Sequence, residues 1–463
     1  MLMILVFNSK AYILVFLLFG MTLFLFGQNL FQTLFYMLIL SIPFERVIRG
    51  WWLTVVPFDS QAWVYGYEFS FGISLKLIFS ATLFLLILLR RNDFKVKFTS
   101  NIYILSLIGF FIFACISSFF AFRYDLMITG LIRLWMSVWI FFISRYYFSK
   151  RDIRLSFPKY LVSCLLFFGL IGTLQFIKRQ PLGLDMEIES SKALFGFLTS
   201  DGEENYRVQG FMGHPTYFGS FMSLIFPVGL GMLVGEMFKK KKVFLVQLIS
   251  SIALLLGFSA IFGSFSRTAW FSLLIILVLF LKKIRQTIRF ERLKLKKDTK
   301  MFLIGGLIVV IGIVCYGSLI LFRAHSLKYM WTLGSGRGRL PLMKHSLVMI
   351  KNNPILGAGF NHFTSEMIDQ GVEDKHRAFI YPVHNTFLLF FSELGIPAGV
   401  LFIIFLMTTL FYSRRKINKD WIDYGIWIGV ITFIINAQFH TLFSQDPTFD
   451  LLMVMLAYLS VDL

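Results

Sequence analysis

Apolar runs long enough to cross a bilayer alternate with short polar stretches along the whole chain. A spanning helix needs about 20 predominantly apolar residues. The windows that approach this are 11–26, 29–43, 71–89, 102–121, 126–146, 160–177, 216–236, 243–263, 268–282, 301–322, 384–411, 422–439 and 447–461. The run at 29–43 is short and reads as half of a tight hairpin or as a re-entrant piece, so the expected count is 12 or 13 spans. The pattern predicts an all-α polytopic membrane protein, with 1–463 as a single integral membrane domain. The apolar opening Met1–Phe7 has neither a basic leader nor a small-residue cleavage site, and reads as part of an uncleaved first span.

The polar stretches orient these spans. Basic clusters at Arg90–Lys97, Arg145–Lys159, Lys239–Lys242, Lys282–Lys300 and Arg414–Lys419 fall in alternate connections. An excess of Lys and Arg marks cytoplasmic loops, so all five are placed in the cytoplasm, the basic loop 282–300 among them. Segments 44–70, 178–215, 323–383 and 440–446 then face outward. Two of these, 178–215 and 323–383, are long. Long connections in compact proteins are usually functional, and these two are expected to form an external vestibule. All seven histidines lie on that side or at its membrane edge.

Within the second long loop, Arg339–Lys351 places Leu340, Met343, Leu347 and Ile350 on one helical face, as a helix lying on the outer membrane surface would. Asn352–Phe360 reads as a turn, stopped by Pro354 and shaped by Gly357 and Gly359. Residues 361–383 show no period and are expected to be irregular. No internal repeat is visible, which argues against a transporter built from duplicated halves.

Composition agrees with the pattern. The chain is 57% hydrophobic and 15% charged, with mean hydropathy +0.74; soluble domains run at about 45–50% and about 25%. The formal charge of +20 sits in the short connections, so it marks orientation and not a nucleic-acid partner. Cys115, Cys164 and Cys315 all lie inside apolar runs, which supports neither a disulfide framework nor a metal site.

The candidate chemistry is therefore at the outer edge. Arg267, in the tight turn Ser264–Trp270, either snorkels to the interface or pairs with an anion such as a diphosphate, which a guanidinium fork suits. Arg207 precedes a span in a stretch shaped by Gly210 and Gly213, with His214 close behind; the arginine can instead pair with Glu203 or Glu204. Arg337 and Arg339 open the amphipathic helix and can grip phosphate, an anionic sugar or lipid headgroups. His384, next to Asn385, begins a span after the longest loop, where a histidine can accept a proton near neutral pH. Glu393 lies nine residues on, at the opposite azimuth, and reads as a buried helix–helix partner and not the base. Tyr329, Trp331, Phe360, Phe363 and Tyr381 are aromatics available to stack on sugars or pack against lipid. No metal-ligand spacing and no phosphate loop is present, so neither a metal nor a cofactor is expected.

The segment SFSRTAW at 264–270, the run from Arg339 through Pro354-Ile-Leu-Gly-Ala-Gly-Phe360, and His384-Asn-Thr-Phe-Leu388 with Glu393-Leu-Gly395 together resemble the O-antigen ligase and polymerase superfamily. The similarity spans about 207–400. Met343 departs from it, since many relatives carry tryptophan there. The resemblance implies a GT-C-like glycosyltransferase in the bacterial plasma (inner) membrane with an outward-facing site. Its donor would be an undecaprenyl-diphosphate-linked glycan, its acceptor another glycan, and it would need no metal. Arg267 and Arg207 would then bind the diphosphate and His384 would activate the acceptor hydroxyl. Arg339, or its rival Arg337, would be the loop arginine, with Asn385 and His214 also contacting substrate. Polymerisation of repeat units for a capsule or other exopolysaccharide is the favoured activity, with other polysaccharide-assembly membrane proteins as candidate partners. A ligase passing finished chains to a lipid or wall acceptor is the alternative within the family, and a lipid-linked oligosaccharide flippase is the alternative outside it.

Overall fold

The computed structural model describes residues 30–44, 49–54, 70–89, 101–121, 124–183, 197–198, 204–239, 243–291, 335–369, 381–443 and 447–461. The expected spans at 11–26 and 301–322, His325, Tyr329, Trp331 and His376 lie outside the described residues. The membrane helices are α1 (Leu30–Ser41), α2 (Leu75–Leu89), α3 (Ile102–Phe119), α4 (Tyr124–Phe148), α5 (Arg151–Lys178), α6 (Pro215–Phe238), α7 (Phe244–Gly263) and α8 (Arg267–Glu291). They continue with α9 (Ser335–Asn352) and the short α10 (Phe363–Asp369), which lie between spans, then α11 (Thr386–Tyr412), the four-residue α12 (Arg414–Ile417), α13 (Trp421–Ala437) and α14 (Pro447–Ser460). Two short antiparallel ribbons, β1 (Arg49–Thr54) with β2 (Ser70–Ser74) and β3 (Phe197–Leu198) with β4 (Glu204–Asn205), decorate the helices.

Six of these helices are individually long and apolar enough to cross a membrane, and four shorter apolar helices accompany them. The all-α polytopic class follows. Wherever the expected spans are described, each has its helix. Two helices run beyond their apolar windows. The helix α5 begins at Arg151, so the expected basic connection Arg145–Lys159 is mostly helical, and α8 runs on to Glu291.

Within the first extension, Arg154 joins two other cations at the end of α14. Arg154 donates to the carbonyls of Tyr458 and Val461 at 2.8 and 2.9 Å, Arg145 to that of Ser460 at 2.7 Å, and Lys416 to that of Leu459 at 3.0 Å. The last carbonyls of a helix have no partners within it. Here three cations from three other elements satisfy those of α14, and α14 itself is buried along its length.

A second group of charges is buried inside the bundle. Lys76 on α2 pairs with Asp450 on α14, and Ser137 on α4 donates to the same carboxylate. Both ions are essentially inaccessible, at 0% and 1% exposure. Asp450 stands ten residues, about 15 Å of helix, from the capped end of α14. A pair this buried is tolerated because each ion has its counterion and the carboxylate a further hydrogen bond.

Candidate active site

The starts of α6, α8 and α11 lie at the end of the bundle opposite the capped terminus of α14. His214 caps α6, its Nδ1 accepting the Thr216 N–H at 3.1 Å, and its ring lies 4.6 Å from that of Tyr217. Asn385 caps α11, its Oδ1 accepting the N–H groups of Phe387 and Leu388, both at 3.0 Å. The start of α8 follows a turn in which Phe265 adopts positive φ (50°) and Ser264 Oγ accepts the Ser266 N–H. Helix N-termini carry partial positive charge and unpaired N–H groups. Three of them side by side make this end receptive to anions.

The strand-like stretch before α6 is laid directly on the turn before α8. Arg207 Nε donates to the Ser264 carbonyl at 3.0 Å, and Val208 N–H to the Gly263 carbonyl at 2.9 Å. Gln175 on α5 holds the stretch from below, exchanging two hydrogen bonds with the backbone of Gly210 at 2.9 and 3.1 Å. Gly210 and Gly213 have φ of 55° and 66°, the left-handed turns their sequence positions imply. Arg207 and Arg267, distant in sequence, are thereby brought to one turn, since the Ser264 that receives Arg207 stands three residues before Arg267. The Ser264 carbonyl takes the Nε of Arg207, and the acidic partners weighed for it, Glu203 and Glu204, lie outside the residues whose side chains are described.

From the other side, α9 brings Arg339. Its pKa is lowered, first by burial and then by the positive charge of Arg267. The Arg339 charge acts in turn on His384, one residue before the α11 cap. His384 is half-buried, its Nδ1 is enclosed without a hydrogen-bond partner, and its pKa is pushed down to about 4. Burial is the main cause and Arg339 the second, opposed by the backbone of Pro382. The ring is therefore neutral at pH 7. His384 lies just outside the first turn of α11, not within it as expected, because Asn385 takes the cap.

A histidine not singled out from sequence completes the cluster. His440, buried between α13 and α14, bonds through Nε2 to Thr268 Oγ1 at 3.0 Å. Burial, followed by Arg339, His384, His214 and Arg207 in that order, depresses its pKa well below the ordinary histidine value. The ring therefore lies within electrostatic range of groups at the starts of α6, α9 and α11.

Other expected site residues divide. The side chain of Arg337 lies outside the described residues, although its backbone opens α9. Asn385 spends its amide on Gln438, donating to the carbonyl and to Oε1, both at 3.2 Å, so it joins α11 to α13 besides capping. Phe360 and Phe363 are fully buried and unavailable for stacking on sugars, whereas Tyr381 is exposed. Residues 363–369 form α10 where an irregular segment was expected. Its start is fixed by Glu393, fully buried, whose Oε1 accepts the Phe363 N–H at 2.9 Å. A single tertiary acceptor of this kind leaves no period in the sequence.

The run 354–359 has a specific structural task. α11 breaks at Gly395 (φ 83°), and Pro397 has no N–H to continue the ladder. The freed carbonyls of Ser392 and Glu393 accept N–H groups from Ala358 at 2.9 Å and Gly359 at 2.8 Å, while Ile396 N–H reaches the Pro354 carbonyl at 2.8 Å. The turn thus repairs a broken helix where unpaired backbone would be costly. Asn361 (φ 64°) then ties it to α4 by donating to the Leu126 carbonyl at 2.9 Å. This part of the second long loop is anchored inside the bundle.

Comparison with known proteins gives one family. Residues 252–403, from within α7 to within α11, match the family model described as O-antigen ligase. A search of curated proteins finds no match. The matched stretch contains Arg267, Arg339 and His384, while Arg207, His214 and His440 come from outside it.

Proposed function

We propose, from the match of residues 252–403 to the O-antigen ligase family model and the resemblance to that ligase and polymerase superfamily, that the chain is a polymerase of lipid-linked glycan repeat units. It acts on undecaprenyl-diphosphate donors at the outer face of the bacterial plasma membrane. The observation that carries this reading is the convergence of arginines and a neutral histidine on one set of helix starts. Arg207 and Arg267 hold the diphosphate, and Arg339 adds charge beside them. The acceptor hydroxyl gives its proton to His384 as its oxygen bonds to the anomeric carbon, and the bond from that carbon to the phosphate oxygen breaks. The departing lipid diphosphate gains negative charge, which preorganised guanidinium groups stabilise without a metal.

Donor and acceptor held in line supply much of the remaining rate enhancement. His214 and Asn385 contribute by shaping the helix starts, with Arg337 as a further loop cation. The outward direction rests on the alternating basic clusters. A ligase is the second reading, favoured by the description of the matched family itself. Reconstitution with a lipid-diphosphate glycan donor tests the activity. Free lipid diphosphate should appear with elongated glycan, and chelator should leave the rate unchanged. Transfer only to a non-glycan acceptor would select the ligase, and loss of turnover with chelator, restored by a divalent ion, would defeat the metal-free mechanism.

A further inference from the structure

Between the donor and acceptor sides of this site runs one covalently short bridge. The His440 ring reaches Thr268, the second residue of α8, through Nε2 at 3.0 Å, and Thr268 Oγ1 is in turn 3.1 Å from Ser266 Oγ. The His440 carbonyl accepts from Thr386 Oγ1 at 2.8 Å, at the first residue of α11, and the same hydroxyl accepts the Leu442 N–H at 2.9 Å. Thr441 Oγ1 adds a bond to the Val383 carbonyl at 2.9 Å, beside His384. One residue therefore grips the turn that carries Arg267 with its side chain, and the turn that follows His384 with its main chain. The ring is 8% exposed, and its nearest charged neighbours are cationic or histidine. A bland core contact would be served by an apolar residue; this one buries a polar ring and uses both of its handles.

We propose that His440 is the positioning residue that sets the separation between the diphosphate clamp at Arg267 and the acceptor base at His384. This rests on the functional reading above and adds a residue to it. Because in-line transfer depends on that separation, a misplacement of about 1 Å costs on the order of 100-fold in rate. Donor binding needs only one side of the bridge and is unaffected. The transferred glycan then has a second fate, since a seated donor facing a displaced acceptor is open to water.

The test uses the full-length protein in lipid nanodiscs with a lipid-diphosphate glycan donor. His440→Ala and Thr268→Val should each lower kcat for transfer about 100-fold, leave donor affinity within about threefold, and raise the ratio of hydrolysis to transfer. The double variant should be no worse than either single one, as expected for two ends of one bond. Equal losses of donor affinity and kcat, or an unchanged partition between water and acceptor, would overturn the proposal. A second arm does not depend on turnover. Spin labels at Phe271 and Tyr381, exposed residues near Arg267 and His384, should show a broadened or shifted distance distribution in His440→Ala. If the wild-type protein transfers nothing, the functional reading fails, and the distance arm still decides the bridge. An unchanged distribution refutes it.

Discussion

Replacing Gly357 by alanine should be far more damaging than one added methyl group implies. Gly357 has φ of 69°, and a Cβ there would sit 2.4 Å from both the carbonyl carbon and oxygen of Glu393. The left-handed conformation itself costs a non-glycine residue about 1–2 kcal/mol. Neither contact can yield alone, because both atoms belong to backbone, so the turn must lift from α11. Lifting breaks the Ala358 and Gly359 bonds to Ser392 and Glu393 and the Ile396 bond to Pro354. At about 1 kcal/mol net each, the total is about 4–5 kcal/mol. That is a large part of the 5–15 kcal/mol that typically separates folded from unfolded protein.

Gly183→Ala is the matched control, since Gly183 has φ of 85° but nothing within 4 Å of a built Cβ. It should cost only the conformational 1–2 kcal/mol. Denaturant titration of both purified variants, followed by tryptophan fluorescence, measures the difference. Equal shifts of the two midpoints would show that the turn is not what holds the break in α11.

Three further outcomes are expected. Arg267→Lys keeps the charge but loses the planar fork, so donor turnover should fall on the order of 100-fold; normal turnover and donor affinity would remove the clamp role. His384→Ala should lose about 10²- to 10⁴-fold in transfer while still binding donor. In wild type the base is active when neutral, so kcat/KM should fall as pH drops through about 4; Arg339→Gln, which removes a like charge, should move that limb upward, and an unmoved limb would contradict the coupling. In a background lacking the native cysteines, an impermeant reagent should label Ser190→Cys and Gln370→Cys in intact cells and spare Phe290→Cys. Labelling at 290 would invert the topology.

The spans, the turn before α8 and the turn at 354–359 were legible because each depends on local composition, on glycine, or on proline. The packing faces were not. α9 exposes Leu340, Met343 and Leu347, the stripe expected to face the membrane, with Ile350 half-buried, and it packs on the protein through Leu342, Ser346 and Met349, which no apolar stripe marks. Lipid is as apolar as a protein interior, so hydropathy cannot tell which side meets which. His440 and the Lys76–Asp450 pair were missed for another reason. Their partners lie 172 and 374 residues away, and nothing near them in sequence marks the encounter. Arg207 was recognised because its stretch has shaped glycines, although its bond to Ser264 was not readable.

The gathering of guanidinium groups and helix starts at this end has a cost that falls after chemistry. On the proposed reading, the donor is a diphosphate diester with one charge on each phosphate. Once the glycan has left, the terminal phosphate is a monoester whose second ionisation lies near pH 6. The spent carrier is thus more anionic than the donor at neutral pH, and the same cations hold it more tightly. An arrangement that stabilises the departing group also retains it. Turnover would then be paced by escape of the empty carrier along the bilayer, with a rapid first round followed by slower cycles, and enzymes that remove the terminal phosphate from released carrier would set the steady rate in a cell by keeping it from rebinding.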